Sequence, residues 1–253
     1  MPAIASLRSS ARLADLALPG RVQWGVTAVE PVRRLPSGAA PVDALLAGGV
    51  PCGRLSELLG PVSSGKTSLL FQLLATTTQR GEVVACVDLT DTLHPASAAN
   101  AGVNLQRLLW VRPPSAVTAL RCTELLLQAG GFAVVALDLG APAPRAVHPQ
   151  HAAWPRLVRT AEQSHSALII LAAQRVAGSF AAISLGLQRQ HSHWQRGHWA
   201  LFEGFDSTLL VMRNKFGTPG RSAALRIGQG SKGAGELGSA LSPSPLLLSS
   251  PAL

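Results

Sequence analysis

The sequence predicts an α/β fold: a mostly parallel central sheet with helices on both faces and an antiparallel hairpin at one edge. Three observations lead there. Strand-sized apolar runs alternate with longer, helix-periodic segments from residue 55 to residue 172, the order that builds parallel βαβ units. A glycine-bounded loop ending in Gly65-Lys66-Thr67 stands between the first such run and the helix after it. The last two β-type runs, 208–214 and 223–227, are separated by a turn over 217–220 that holds two glycines and a proline, which reads as a hairpin.

Each element has its own signal. Residues 1–20 place Ile4, Leu7, Leu13 and Leu16 against Arg8 and Arg12, as in a short amphipathic helix. Residues 20–49 are rich in Pro and Gly, with a helix at 42–46. Then come a strand at 55–59, a helix at 66–79, a strand at 83–88, a short helix at 95–102 and a strand at 108–112. A helix at 115–129, a strand at 133–138, a helix at 151–164 and a strand at 167–172 complete the alternation. No repeat of fixed period is visible. These readings divide the chain into an N-terminal extension (1–40), a core (41–228) and a Gly/Ser/Pro-rich tail (229–253). Such a tail buries little and is expected to be flexible. Leu246, Leu247 and Leu248 within it suit either docking on a partner or packing within the molecule.

Composition narrows the function. A chain of 253 residues with 47% apolar content builds a sizeable core. Lys and Arg number 22 against 13 Asp and Glu, a formal charge of +9. This favours a polyanionic partner such as nucleic acid; the competing reading is a compositional habit, since the chain is Ala-, Leu-, Arg- and Pro-rich and has no Tyr. Cys52, Cys86 and Cys122 show no C-x-x-C spacing and read as reduced thiols. With no membrane-length apolar run and no signal-peptide pattern, the expectation is a cytoplasmic protein without membrane association.

Gly60-Pro61-Val62-Ser63-Ser64-Gly65-Lys66-Thr67 fits G-x-x-x-x-G-K-[ST] in full. The loop glycines let backbone N–H groups turn inward around phosphate oxygens, and the helix N-terminus adds its dipole. The expected contacts of ATP are Gly60, Ser63, Ser64, Gly65 and Lys66, with the Thr67 hydroxyl on Mg²⁺. Asp138, ending the apolar run 133–138, is the matching acid for the Mg²⁺ shell. Its other reading is a strand-end Asp that caps the next element.

Beyond this loop the chain resembles the RecA family. Gly48-Gly49-Val50-Pro51-Cys52-Gly53-Arg54-Leu55-Ser56-Glu57-Leu58-Leu59 is similar to the stretch that leads into that family's phosphate loop. Ala172-Ala173-Gln174 resembles its glutamine-bearing strand end, which implies that Gln174 senses the γ-phosphate. Arg213-Asn214-Lys215 resembles its basic pair, which implies that Arg213 and Lys215 reach the nucleotide of a neighbouring subunit. The resemblance covers residues 42–227.

Two departures modify what the resemblance implies. In the family a catalytic Glu stands two residues after the Asp that ends the second strand. Asp88 ends that strand here and the matching position is Thr90, which cannot act as a carboxylate base. Asp91 could substitute only in a rearranged loop, and His94 stands where the family often has an acid near the adenine. Binding with slow or absent hydrolysis is expected. The second departure is 175–205, where the family has a Gly-rich, flexible DNA-binding loop. Arg175, Arg189, Trp194 and Arg196 are interleaved there with His191, His193, His198 and Trp199. That mixture suits single-stranded DNA, with Trp stacking on bases and Arg on phosphates; a partner-binding or sheet-covering segment is the equal alternative. Without a nearby Cys or carboxylate the histidines make a poor metal site.

The short length, the altered Glu position, Gly204-Phe205-Asp206 and Arg213-Asn214-Lys215 are similar to the ImuA-type accessory proteins of DNA-damage-induced (SOS) mutagenesis. This resemblance implies partnership with an inactive Y-family polymerase homologue, an error-prone replicative polymerase and RecA itself. The alternative is a compact, DNA-stimulated ATPase or recombinase that forms filaments.

Overall fold

The computed structural model describes residues 32–140, 152–195 and 201–228. The N-terminal amphipathic helix, the C-terminal tail, Arg196, His198 and Trp199 lie outside the described residues. No described helix is long and apolar enough to cross a membrane.

The chain enters through a two-residue strand, β1 (Arg34–Leu35), antiparallel to β2 (Val50–Pro51), with helix α1 (Ala40–Leu45) between them. The main sheet then forms from β3 (Leu55–Leu59), β4 (Val83–Asp88), β5 (Leu108–Val111), β6 (Phe132–Asp138), β7 (Ala167–Ala172), β8 (Ile183–Gln195), β9 (Leu201–Asn214) and β10 (Ser222–Gly228). Their order is β10-β9-β8-β3-β7-β6-β4-β5. Every pair from β5 across to β8 is parallel, and β8-β9 and β9-β10 are antiparallel. The expected mostly parallel sheet with an antiparallel edge is therefore present.

Parallel strands covered on both faces read as unbroken apolar runs, because both sides of the pleat are buried. Alternate residues accordingly feed two cores. Val84, Cys86, Val134, Ala136, Ile169 and Leu171 pack with Leu69, Leu70, Leu73 and Leu74 of helix α2 (Lys66–Gln79). Ala85, Val87, Val135, Leu137, Leu168 and Ile170 pack on the other face. There they meet Leu120 and Leu127 of helix α4 (Ala116–Ala129) and Trp154 and Leu157 of helix α5 (Ala153–Ser164). Ser115 starts α4 by accepting the Thr118 N–H on its hydroxyl, and Gly130 follows its last turn. Pro155 sits in the first turn of α5, where no helical N–H is lost.

β3, α2, β4 and β7 have the bounds expected from sequence. The short helix α3 (Pro95–Asn100) ends two residues early, and α1 and β5 shift by one or two residues at their ends. The larger difference lies in 175–205. The expected loop is instead a short connection over 173–182 followed by the long strands β8 and β9, the second starting at 201 rather than 208. β8 pairs with β3 only as far as Gly186, and from Gln188 outward it has β9 alone. With little apolar packing there, the outer half carries polar side chains and shows no hydrophobic period to read.

Leu137, fully buried in β6, tests the two-core packing. Leu137→Ala should cost about 2–5 kcal/mol in urea unfolding. Leu125→Ala, on the exposed side of α4, should stay within about 0.5 kcal/mol of the parent.

Candidate nucleotide-binding site

The phosphate loop leaves the carboxyl end of β3 and enters α2, next to the strands where ligands bind in open α/β sheets. Two glycines are required by geometry. Gly60 has φ 153°, and a Cβ there would lie 2.5 Å from the Leu187 carbonyl oxygen. Gly65, at φ 97°, is the N-cap of α2, and a Cβ there would lie 2.1 Å from Ile227 Cδ1. Ser63 also takes a left-handed conformation, at φ 61°, a strained choice of the kind found at binding loops.

The loop opens on a cleft of about 500 Å³ lined by Ser63, Ser64, Gly65, Lys66, Thr67, Asp88, Thr90 and Asp138 among others. Lys66 is buried and its Nζ donates to the carbonyls of Gly60 (3.0 Å) and Pro61 (3.2 Å), folded back along its own loop. Burial lowers its pKa, with Asp138 opposing the shift. Asp138 shifts the other way: burial raises its pKa and nearby Asp88 adds to this, while the Gly140 N–H (2.9 Å) and Lys66 pull it down. The Ser64 hydroxyl is buried without a partner. Backbone amides at a helix start, a buried ammonium, an accessible threonine hydroxyl and a carboxylate fit a nucleoside triphosphate with Mg²⁺.

The acids divide the work. Asp88 accepts from the N–H groups of Leu93 (2.8 Å) and Thr90 (3.3 Å) and from the Trp110 indole (3.3 Å), which fixes the turn after β4. Thr90 lines the cleft against Gly140, with its hydroxyl 3.1 Å from that of Thr92. Asp91 does not line the cleft; it is exposed and pairs with Arg112 at 3.6 Å. His94 caps α3 by accepting the Ser97 N–H.

Other predicted residues are spread out. Gln174 is exposed beyond β7 and does not line the cleft. Arg175 donates to the Gly178 carbonyl (3.0 Å). Arg213 and Lys215 lie at the opposite end of the sheet: Asn214 pairs with Ile183, which pairs with Ser56 near the start of β3. Arg213 donates to the Ser179 carbonyl at 3.4 Å, and its Nε is buried without a partner. Burial lowers the Lys215 pKa, with Arg213 and Arg54 adding to the effect. Trp194 is exposed and stands edge-on to Phe202 at 5.1 Å. Arg189 lines the nucleotide cleft.

Sequence reasoning missed Glu57. It is fully buried in β3 and accepts from the N–H groups of Val176 (3.0 Å) and Ala177 (2.8 Å) and the Ser184 hydroxyl (2.6 Å). The Arg175 guanidinium stands 3.9 Å away. The available signal was an acid inside an otherwise nearly apolar strand.

Residues 20–151, which span the phosphate loop and Asp138, match the RecA N-terminal domain. The chain belongs to that family. It is 40% identical over 114 residues to the RecA protein of Methylococcus capsulatus and 39% identical over 117 residues to that of Herpetosiphon aurantiacus. These alignments take in 45% and 46% of this chain but 33% of either RecA, so the chain spans about a third of the relatives it matches. In structure it is similar to the RadB recombinase, with a TM-score of 0.61 at 22% identity over 77% of this chain and 96% of that one.

Asp138 yields a test with a defined sign. Its raised pKa means the folded, nucleotide-free protein binds this proton more tightly than the unfolded chain. The group therefore costs stability as pH rises through and above its folded pKa. Asp138→Asn should raise the thermal midpoint of the nucleotide-free protein at pH 8 more than at pH 4, while weakening Mg²⁺-dependent nucleotide binding. Scanning calorimetry at both pH values checks the first effect and a Mg²⁺ titration the second.

Proposed function

We propose that this RecA-family chain is an ATP-holding accessory protein of the bacterial DNA damage response, acting in translesion synthesis and SOS mutagenesis in the cytoplasm. Its ATP hydrolysis is weak or absent. The observation that carries this reading is at the turn after β4. Thr90 occupies the cleft beside Asp138, and Asp91, the nearest substitute acid in sequence, faces away and pairs with Arg112. Lys66, Thr67 and Asp138 supply binding groups, but no described carboxylate other than Asp88 and Asp138 lines the cleft, and Asp88 already accepts three hydrogen bonds. Bound ATP with Mg²⁺ would supply a phosphoanhydride; the described residues that line the cleft include no free base to direct water at it.

The partners proposed are those of the ImuA-type resemblance: an inactive Y-family polymerase homologue, an error-prone replicative polymerase, RecA and single-stranded DNA. The net charge of +9 supports a polyanion among them.

Purified protein should bind ATP with Mg²⁺ yet turn it over slowly, with or without single-stranded DNA. Lys66→Ala should weaken binding roughly tenfold to a hundredfold, the worth of a charge-assisted hydrogen bond. Brisk, DNA-stimulated turnover, or long assemblies in light scattering with ATP and DNA, would move the filament-forming recombinase to first place.

A further inference from the structure

We propose that Arg189 is a second phosphate-binding cation of the ATP site, supplied by the chain's own β8 rather than by a neighbouring subunit. This rests on the ATP-binding reading above and goes beyond it in naming a residue and the side of the molecule from which it acts.

The placement follows from the pleat. Leu185 and Leu187 of β8 point into the core shared with α2, so Arg189, two residues on, continues that row past the last β3–β8 pair, Leu59 with Gly186. The same row runs along β9 through Leu209, Ser207 and Phe205. Ser207 Oγ donates to the Ser64 carbonyl of the phosphate loop (2.8 Å), and Phe205 lies at the cleft beside Gly65. The hairpin root is thus joined to the loop, and the next side chain in the row is a guanidinium.

Arg189 is held there. Its guanidinium lies 4.9 Å from the Phe205 ring centroid and 5.9 Å from that of Phe202, and it donates to the Ser192 hydroxyl. Pairing slips between Arg189 and Ser192, a local irregularity of the type that re-aims a side chain next to binding sites. Among the described residues only Lys66 and Arg189 bring a permanent positive charge to the cleft lining. A triphosphate carries more negative charge than one ammonium balances. The guanidinium fork suits phosphate oxygens, and the two rings limit the rotamer freedom lost on binding. Arg213 and Lys215 cannot fill this role within one chain, since they stand at the other end of the sheet.

The test is calorimetric titration of Mg-ATP into the full chain, its Arg189→Ala and Arg189→Lys variants, and Lys66→Ala as the control. Arg189 is exposed, so equal thermal midpoints should show that the variants fold. Arg189→Ala is expected to weaken ATP roughly tenfold to a hundredfold, with Arg189→Lys recovering part of the loss. Mixing Arg189→Ala with Lys66→Ala protein should restore nothing, because the cation acts within its own chain. Unchanged ATP affinity in Arg189→Ala, beside a loss in Lys66→Ala, would overturn the inference and leave the ATP reading standing. Restoration in the mixture would overturn the own-chain claim. A parent protein that binds no ATP would overturn both readings.

Discussion

The burial of one carboxylate, Glu57, constrains everything around the phosphate loop. β3 lies inside the sheet between β7 and β8, and all five of its residues are buried. A carboxyl group in such a place is tolerated only when its oxygens are satisfied. Two backbone N–H groups from the connection after β7 and one hydroxyl from β8 meet that need. These contacts tie three separate stretches of chain at one point. They draw residues 176 and 177 back across β3 and set Ser184 beside it, where β8 pairs Ser184 with Glu57 in register. A one-residue slip of β8 would turn Ser184 to the opposite face, leave Glu57 short of a donor, and move Arg189 and Leu187 to the wrong side of the strand. The carboxylate thus fixes both the strand that launches the phosphate loop and the strand that overhangs it.

What was legible in the sequence follows from how local each signal is. Leu55–Leu59, the loop and Lys66–Gln79 announce themselves within one continuous stretch, because a buried strand, a glycine-rich turn and a helix each have their own short-range pattern. Asp138 is legible for the same reason, as an acid at the end of an apolar run. Arg189 is not. Its place at the cleft depends on Ser207 meeting Ser64 and on Leu187 lying over Gly60, contacts between residues more than 120 positions apart. Local composition around Arg189, rich in His, Trp and Arg, suits DNA and a partner-binding or sheet-covering segment equally, since nothing nearby in sequence reveals what the strand lies against. Asp91 shows the converse limit: its spacing permits a role in the cleft, and its pairing with Arg112 across the β4–β5 edge turns it away.

The cleft contains buried groups with opposed pressures. Asp88 is held by three donors and serves the turn; Asp138 accepts one loop N–H and bears a desolvation penalty, so it is the carboxylate with capacity left for a cation. Cys86, two residues before Asp88 on β4 and paired with Ala136, also lines the cleft, and burial near the two acids pushes its thiol pKa well above the ordinary range, leaving it inert. Lys66, disfavoured as a charge by burial, is held by its own loop carbonyls. A phosphate–Mg²⁺ pair would relieve both penalties at once, since the anion suits Lys66 and the cation suits Asp138.

The hairpin shares the loop's fate. Ser207 Oγ bridges the Ser64 and Gln188 carbonyls at 2.8 and 3.1 Å, so one hydroxyl links the phosphate loop to both hairpin strands. Gly65 and Ile227 are in contact at the same point, which brings β10 into the contact set. On the proposed reading, ordering of Ser63, Ser64 and Gly65 by a nucleotide would reach the root of β8 and β9 through these few atoms, with no intervening element. In a chain that turned ATP over quickly, this arrangement would be renewed with every cycle. On that same reading, with Thr90 at the cleft and no free base among the described residues lining it, occupancy would instead follow nucleotide concentration relative to the dissociation constant. On the proposed reading, Thr90 then governs more than chemistry: it sets how long the Trp- and Arg-bearing hairpin is held in one arrangement for a partner to meet.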